Sequence, residues 1–267
     1  MTGTLPPTSP SKLYSQIRSQ LGTGDIFFLH GTSPAGVLIE KLEELADWPP
    51  FSHVGMVIND NGDLYLWDAP GAGADCFPDP YSSDQDNRTY GWPGAPVHAG
   101  CRVSPLDAVL AYYSTKVDIP PGLKLPGFWL RQLAPAVTTD RFGALWRFIN
   151  RVDGMPFPTW FGKDPDAQME SGLALSWGMG QDRGTPLFGT YFCAQLVADS
   201  YMHMGLLEME VFPPNGYSPA TFGMTDNPER LRLVPPATLS DMLFVEWDGP
   251  QTPNGKPCPP PPTPPAQ

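Results

Sequence analysis

The chain carries four histidines and four cysteines, and one of each stands where acyl-transfer chemistry could be assembled. Cys193 opens a stretch, Tyr191-Phe-Cys-Ala-Gln-Leu-Val-Ala-Asp-Ser-Tyr-Met-His-Met-Gly205, whose apolar residues recur at helical spacing. Phe192 pairs with Leu196, Val197 with Tyr201, and Met204 follows. Thr190 is the expected N-cap, and Gly205 the expected left-handed stop. A thiol in the first turn of a helix feels the positive end of the macrodipole, which favours the thiolate. Free cysteine is also among the most buried residue types. Taken alone, the segment reads as core as readily as nucleophile.

A cysteine nucleophile needs an imidazole, and the imidazole needs a group to orient it. His203 lies ten residues along the same helix, roughly 15 Å away at ~1.5 Å per residue. His98 falls in an irregular stretch, and His30 ends a short apolar run, Ile26-Phe-Phe-Leu29. His53 begins the strand 51–58, and Asp68 ends the return strand 63–68. Between them Asn61-Gly62 is the strongest short hairpin signal. Turning there, the hairpin is expected to set residues 53 and 68 almost opposite, on one sheet face, about 5 Å apart. The carboxylate would then accept the imidazole N–H and fix its tautomer. A histidine at a strand start and an Asp before Ala-Pro-Gly also have bland readings, as an edge residue and a turn former.

The surrounding elements follow from periodicity. Apolar residues at 13, 17 and 21 predict a helix capped by serine, and Gly24-Asp25 a turn into the first strand. Residues 34–46 read as an amphipathic helix, and 100–103 as a short strand. Residues 104–113 read as a helix with Pro105 at its first position. Residues 127–133 are a strand. Residues 139–152 are a helix with Phe142, Leu145, Trp146 and Ile149 on one face. A helical turn at 217–223 and strands at 231–234 and 242–246 complete the series. Residues 1–9 read as a loose arm. Two stretches without periodicity, 69–99 and 159–188, read as insertions. The expected organisation is a single domain over 1–248, followed by a proline-rich tail over 249–267 that is open to a binding partner.

Composition narrows the function. Of 267 residues, 41% are hydrophobic, enough for a sizeable core, and 35 prolines predict long irregular connections. The net charge of −12 argues against a nucleic-acid partner. No run of eighteen apolar residues predicts a transmembrane helix, and the N-terminus lacks the pattern of a secretory signal. The cysteines (Cys76, Cys101, Cys193, Cys258) show neither a CxxC pair nor metal-ligand spacing. These features together predict a cytoplasmic protein with no cofactor. Asn87-Arg-Thr89 matches a glycosylation acceptor, a pattern short enough to arise by chance. A metal site from His30, His53 and Asp68 lacks a recognised ligand spacing.

The order Gly24-Asp-Ile-Phe-Phe-Leu29, then Phe51-Ser-His-Val-Gly-Met-Val-Ile58, then Tyr191-Phe-Cys-Ala-Gln-Leu-Val-Ala198 resembles the circularly permuted NlpC-type papain-like superfamily. That group includes YiiX-like proteins and relatives of lecithin:retinol acyltransferase. Gly154-Met-Pro-Phe157 is similar to its Gly-x-x-Tyr turn. The resemblance spans roughly residues 22–70 and 100–225. It implies an α+β, papain-like fold with a central antiparallel sheet packed against the nucleophile helix. It implies Cys193 as nucleophile, His53 as base and Asp68 as orienting group. The activity implied is thiol-dependent hydrolysis or acyl transfer on an amide or ester, with a peptide or a lipid acyl substrate. Two positions depart from the pattern. The third residue is often Glu or His in relatives, and Gln195 stands where Glu is common in Cys-Ser-Glu-Leu-Val. Candidate substrate-binding or oxyanion positions are Ala194, Tyr191, Ser52 and His30, and the aromatics Trp67, Trp160, Phe161 and Trp177 could line a pocket. The competing expectation is an inactive module that binds a lipid or peptide in the same groove.

Overall fold

Backbone pairing across the hairpin at Asn61-Gly62 is the centre of the architecture. The computed structural model describes residues 11–30, 40–41, 51–70, 100–117, 123–155, 191–209, 213–224 and 231–250. Several expectations lie outside them: the arm 1–9, most of the helix at 34–46, both long insertions, Thr190, Asn87, His98, Cys76, Cys258 and the tail from 251.

β3 (His53–Asp60) and β4 (Asp63–Asp68) pair antiparallel around the two-residue turn. Asn61 and Gly62 both adopt positive φ, +55° and +97°. That is the mirror-image turn matching strand twist, and it is why Asn-Gly is favoured there. β2 (Ile26–Leu29) flanks β3, and β5 (Arg102–Pro105) flanks β4. Beyond β2 come β6 (Gly127–Arg131), β9 (Leu243–Glu246) and β1 (Ser11–Leu13), in the order β1-β9-β6-β2-β3-β4-β5. Only β1–β9 is parallel. The large sheet is therefore mixed, where an antiparallel one was expected. A small second sheet joins β7 (Leu133–Ala134) to β8 (Thr238–Leu239).

The expected helix at the start of the chain is corrected. Ser11–Leu13 is a strand because its backbone groups are taken by Phe244–Glu246, with Ser11 Oγ donating to Glu246 Oε1 at 2.6 Å. Only Tyr14–Ile17 (α1) is helical, continued by a 3-10 turn, Arg18–Gln20. The buried residues there are Tyr14, Ile17 and Leu21, while Leu13 is half-buried. The other helices are α2 (Leu106–Ser114), α3 (Thr139–Val152), α4 (Cys193–His203) and α5 (Pro219–Gly223). Pro105 sits at the N-cap of α2, one position before its expected place. Thr138 caps α3, accepting from the Arg141 N–H, and Ser218 forms a capping box with Thr221 at α5. The segment expected as a strand near 231–234 contributes a single bridge, Leu207 to Leu233.

Alternation along the strands sends side chains to two cores. Phe27, Leu29, Val57, Leu64 and Leu66 pack with α1 and α2. Ile26, Phe28, Val54, Met56, Ile58 and Trp67 pack with α3, α4 and α5. The chain is thus α+β, with helices on both faces of one large sheet. Trp67 is fully buried and donates from Nε1 to Ser200 Oγ at 3.0 Å, so it is core and not part of an open pocket.

Gly24 and Asp25 act as an anchor. Gly24 has φ +97°, and the Asp25 carboxylate accepts from the N–H groups of Gly22 (2.9 Å) and Leu133 (2.8 Å). Tyr201 on α4 donates its hydroxyl to the Gly24 carbonyl, tying the helix to the beginning of β2. The Leu206 N–H bonds Tyr201 O and the Gly205 N–H bonds Met202 O, a Schellman ending with Gly205 at φ +64°.

Gly55 is required by packing. A Cβ built there would stand 2.8 Å from two carbons of the buried Leu66 side chain. Overpacking of this kind costs about 1–3 kcal/mol. Gly55→Ala is expected to lower stability by that amount in urea unfolding. An unchanged midpoint would mean that Leu66 can move aside.

Candidate active site

The hairpin register differs from the expected one by two residues. Met56 faces Trp67, so continuing the ladder sets Asp68 opposite Gly55, and His53 reaches Asp68 diagonally. Residues 53, 55 and 68 share a face, and glycine at 55 leaves no side chain between the other two. His53 Nε2 donates to Asp68 Oδ2 at 2.9 Å. Both are buried, Asp68 at 0% exposure. The ring of Tyr113 from α2 stacks on the imidazole at 6.1 Å and 18°.

Cys193 acts on the same imidazole from the start of α4, which packs against β3. With Nε2 committed to Asp68, Nδ1 is the nitrogen left for the thiol. The three residues expected from sequence are therefore brought together in one place, with His53 and Asp68 hydrogen-bonded. They come from the start of β3, the end of β4 and the start of α4.

The helix start supplies a second feature. Phe192, in extended conformation, is the N-cap in place of the expected Thr190, because the helix begins at Cys193, and its own side chain makes no capping bond. The first helical bond runs from the Leu196 N–H to the Phe192 carbonyl at 3.0 Å. The N–H groups of Cys193, Ala194 and Gln195 precede it and have no intrahelical acceptor. Donors so placed beside a nucleophile are the usual material of an oxyanion hole. Gln195 is buried in this first turn, and its Oε1 has no hydrogen-bond partner among the described residues.

Electrostatics are set by burial and by neighbours of alternating sign. For His53, burial disfavours the imidazolium. Interaction with Cys193 and with the hydrogen-bonded Asp68 outweighs it and raises its pKa. For Asp68, burial would raise the pKa, but the Arg102 charge and the His53 bond hold it below the usual carboxylate value. Arg102 Nε donates to Asp68 Oδ1 at 3.2 Å from directly across the β4–β5 ladder. Sequence reasoning put 100–103 on a strand but assigned Arg102 no role. Its partner is fixed by strand register between distant segments, which leaves no local signal.

Ser52 and His30 meet on a third residue not singled out from sequence, Glu40. Ser52 Oγ donates to Glu40 Oε1 at 2.8 Å, and His30 Nδ1 lies 3.0 Å from the same oxygen. The imidazole of His30 also packs on Phe51 at 5.7 Å. His30 follows Leu29, which pairs with His53, so this cluster adjoins His53 on neighbouring strands. The His30 side chain is 31% exposed, against 8% for His53. Tyr191, another candidate position, is half-buried just before α4. Its hydroxyl donates to Asp199 Oδ2 at 2.7 Å, farther along α4. His203 is bound at the far end of α4 by Asp199 and by Arg151, whose NH2 contacts His203 Nε2 at 2.7 Å.

Cys101 and Cys193 are both free and buried. They differ in setting, since burial pushes the Cys101 thiol up and Asp153 and Asp68 reinforce that shift. Among the described residues, no group of three or more His, Cys, Asp or Glu could hold a metal ion. No described helix is long and apolar enough to cross a membrane.

No protein-family model matches the sequence, and no curated protein matches it either. Among solved structures, the chain is similar to the metalloprotein yiiX from Escherichia coli O157:H7. The TM-score is 0.41 and the identity 17%, covering 85% of this chain and 99% of that one.

Proposed function

We propose that the chain is a cysteine hydrolase or acyltransferase acting on an amide or ester bond, with Cys193, His53 and Asp68 as its triad on a permuted papain-like fold. The observation that carries this reading is the buried row Cys193–His53–Asp68, with its nucleophile at an uncapped helix start.

The chemistry follows from the geometry. The Cys193 thiolate attacks the carbonyl carbon, and the carbonyl π electrons move to oxygen. The N–H groups of Cys193 or Ala194 hold that oxyanion. His53, as imidazolium, gives the Nδ1 proton to the departing amine or alcohol as the C–N or C–O bond breaks. A thioester remains. Water or an acceptor hydroxyl then gives its proton back to Nδ1 and attacks the thioester, and sulfur leaves as thiolate. Asp68 keeps Nε2–H fixed throughout, so that Nδ1 faces the sulfur. His30 and Ser52, held on Glu40, lie beside this row. Peptide, amide and lipid ester substrates are all compatible with this step.

The test is an activated ester, p-nitrophenyl acetate, with adducts mapped by peptide mass spectrometry. Acetylation is expected at Cys193 and not at Cys101, and Cys193→Ala abolishes it. An unmodified Cys193, or equal labelling of Cys101, overturns the reading and leaves a module that binds without turnover.

A further inference from the structure

The candidate triad continues into a fourth charged group. Asp68 uses each carboxylate oxygen for a different cation: Oδ2 accepts from His53 at 2.9 Å, and Oδ1 accepts from Arg102 Nε at 3.2 Å. With Cys193 as thiolate, the row reads minus, plus, minus, plus, and its net charge is zero. Asp68 is 0% exposed, and the His53 and Arg102 side chains are 8% exposed. Water is therefore not at hand to compensate an unbalanced charge, and a buried ion needs its partners. Around the row stand Tyr113 from α2, Cys193 from α4 and Cys101 beside Arg102. Asp153 and Asp199 act on Cys101 from farther off.

We propose that Arg102 is a positioning residue of this centre: it keeps Asp68 a carboxylate and so keeps His53 and Cys193 as a reactive ion pair at acid pH. The inference rests on the thiol-enzyme reading above. Without Arg102, two anions would face one cation. The row would then take up a proton, either on Asp68 or on sulfur. Protonation of Asp68 withdraws the anion that supports the imidazolium, and protonation of sulfur removes the nucleophile directly. Both outcomes move reactivity to higher pH. A simple brace between β4 and β5 would behave otherwise. The two strands are already paired over four residues by their backbones, and Asp68–Arg102 is the last pair of that ladder.

The experiment is the rate of Cys193 alkylation by iodoacetamide in the full chain, resolved by peptide and measured from pH 4.5 to 9. In Arg102→Met the acid limb is expected to move up by about one unit or more, roughly tenfold in rate below the limb. In Arg102→Lys, which keeps the charge, the limb stays near the wild-type position even where the amplitude falls. A limb unmoved in Arg102→Met, with Met and Lys variants equally destabilised, leaves a brace and overturns the proposal. Should Arg102→Met not fold, a shifted limb in Arg102→Lys overturns it equally. Wild-type protein with no reactivity at acid pH would instead sink the thiol-enzyme reading, and this one with it.

Discussion

His53→Ala is expected to slow alkylation of Cys193 at pH 6 by about 100-fold or more, the scale on which a positioned acid–base group acts. In the wild-type protein the imidazole is hydrogen-bonded to Asp68, and interaction with Cys193 and Asp68 raises its pKa above the ordinary value. On the proposed reading it is the acceptor for the Cys193 proton. Alanine removes that proton acceptor and leaves the sulfur to the helix start alone. The difference narrows above pH 9, where any accessible thiol ionises unaided. Turnover and alkylation separate at the alkaline end. As pH rises through the raised imidazole pKa, His53 loses the proton needed by the leaving group, and turnover falls. Alkylation needs only thiolate and persists. Cys193→Ser provides the reciprocal measurement. The charge of Cys193 is the largest influence raising the His53 pKa, so imidazole resonances should titrate at lower pH in that variant. Equal alkylation rates for His53→Ala and wild type at pH 6 would show that the two groups are not a functional pair.

What could be read from sequence was local, and what could not was pairing at a distance. Asn61-Gly62 marks the hairpin because two consecutive positive φ angles are cheap only for such residues. The Gly205 ending bounds α4 for a similarly local reason. Ser11–Leu13 was misleading, because its apolar spacing suits a helix. Its strand partner lies at the other end of the chain, at Phe244–Glu246. The His53–Asp68 pair was legible by residue type and approximate position, although the register was two residues off. The contact is diagonal, with Asp68 opposite Gly55. Arg102 and Glu40 carry no such signal. Each reaches its partner through the folded arrangement of separate strands or helices, and neither is distinguished locally from a surface charge.

Asp68→Ala is expected to destabilise the protein by about 3–5 kcal/mol at pH 7, the range for removing one member of a buried ion pair. The cost arises from what stays behind. The Arg102 guanidinium, 8% exposed, loses the carboxylate across the ladder, and the His53 Nε2–H loses its acceptor. Asp68→Asn should cost less, since an amide oxygen still accepts one hydrogen bond, though without charge. Removing Arg102 as well, in Asp68→Ala with Arg102→Met, should recover part of the loss, because the buried cation that has lost this carboxylate is then gone too. The pH dependence has a definite sign. The native pKa of Asp68 lies below its ordinary carboxylate value of 3.8. Its contribution is fully present above that value and is lost as pH falls through the native pKa. The stability gap between wild type and Asp68→Ala should therefore hold steady from pH 5 to 7 and shrink in acid. Urea midpoints at several pH values measure this directly. A gap below about 1 kcal/mol at neutral pH, the scale of an exposed pair, would mean that Asp68 is not the buried junction between His53 and Arg102. A gap that widens in acid would reverse the sign expected of a carboxylate stabilised by two cations.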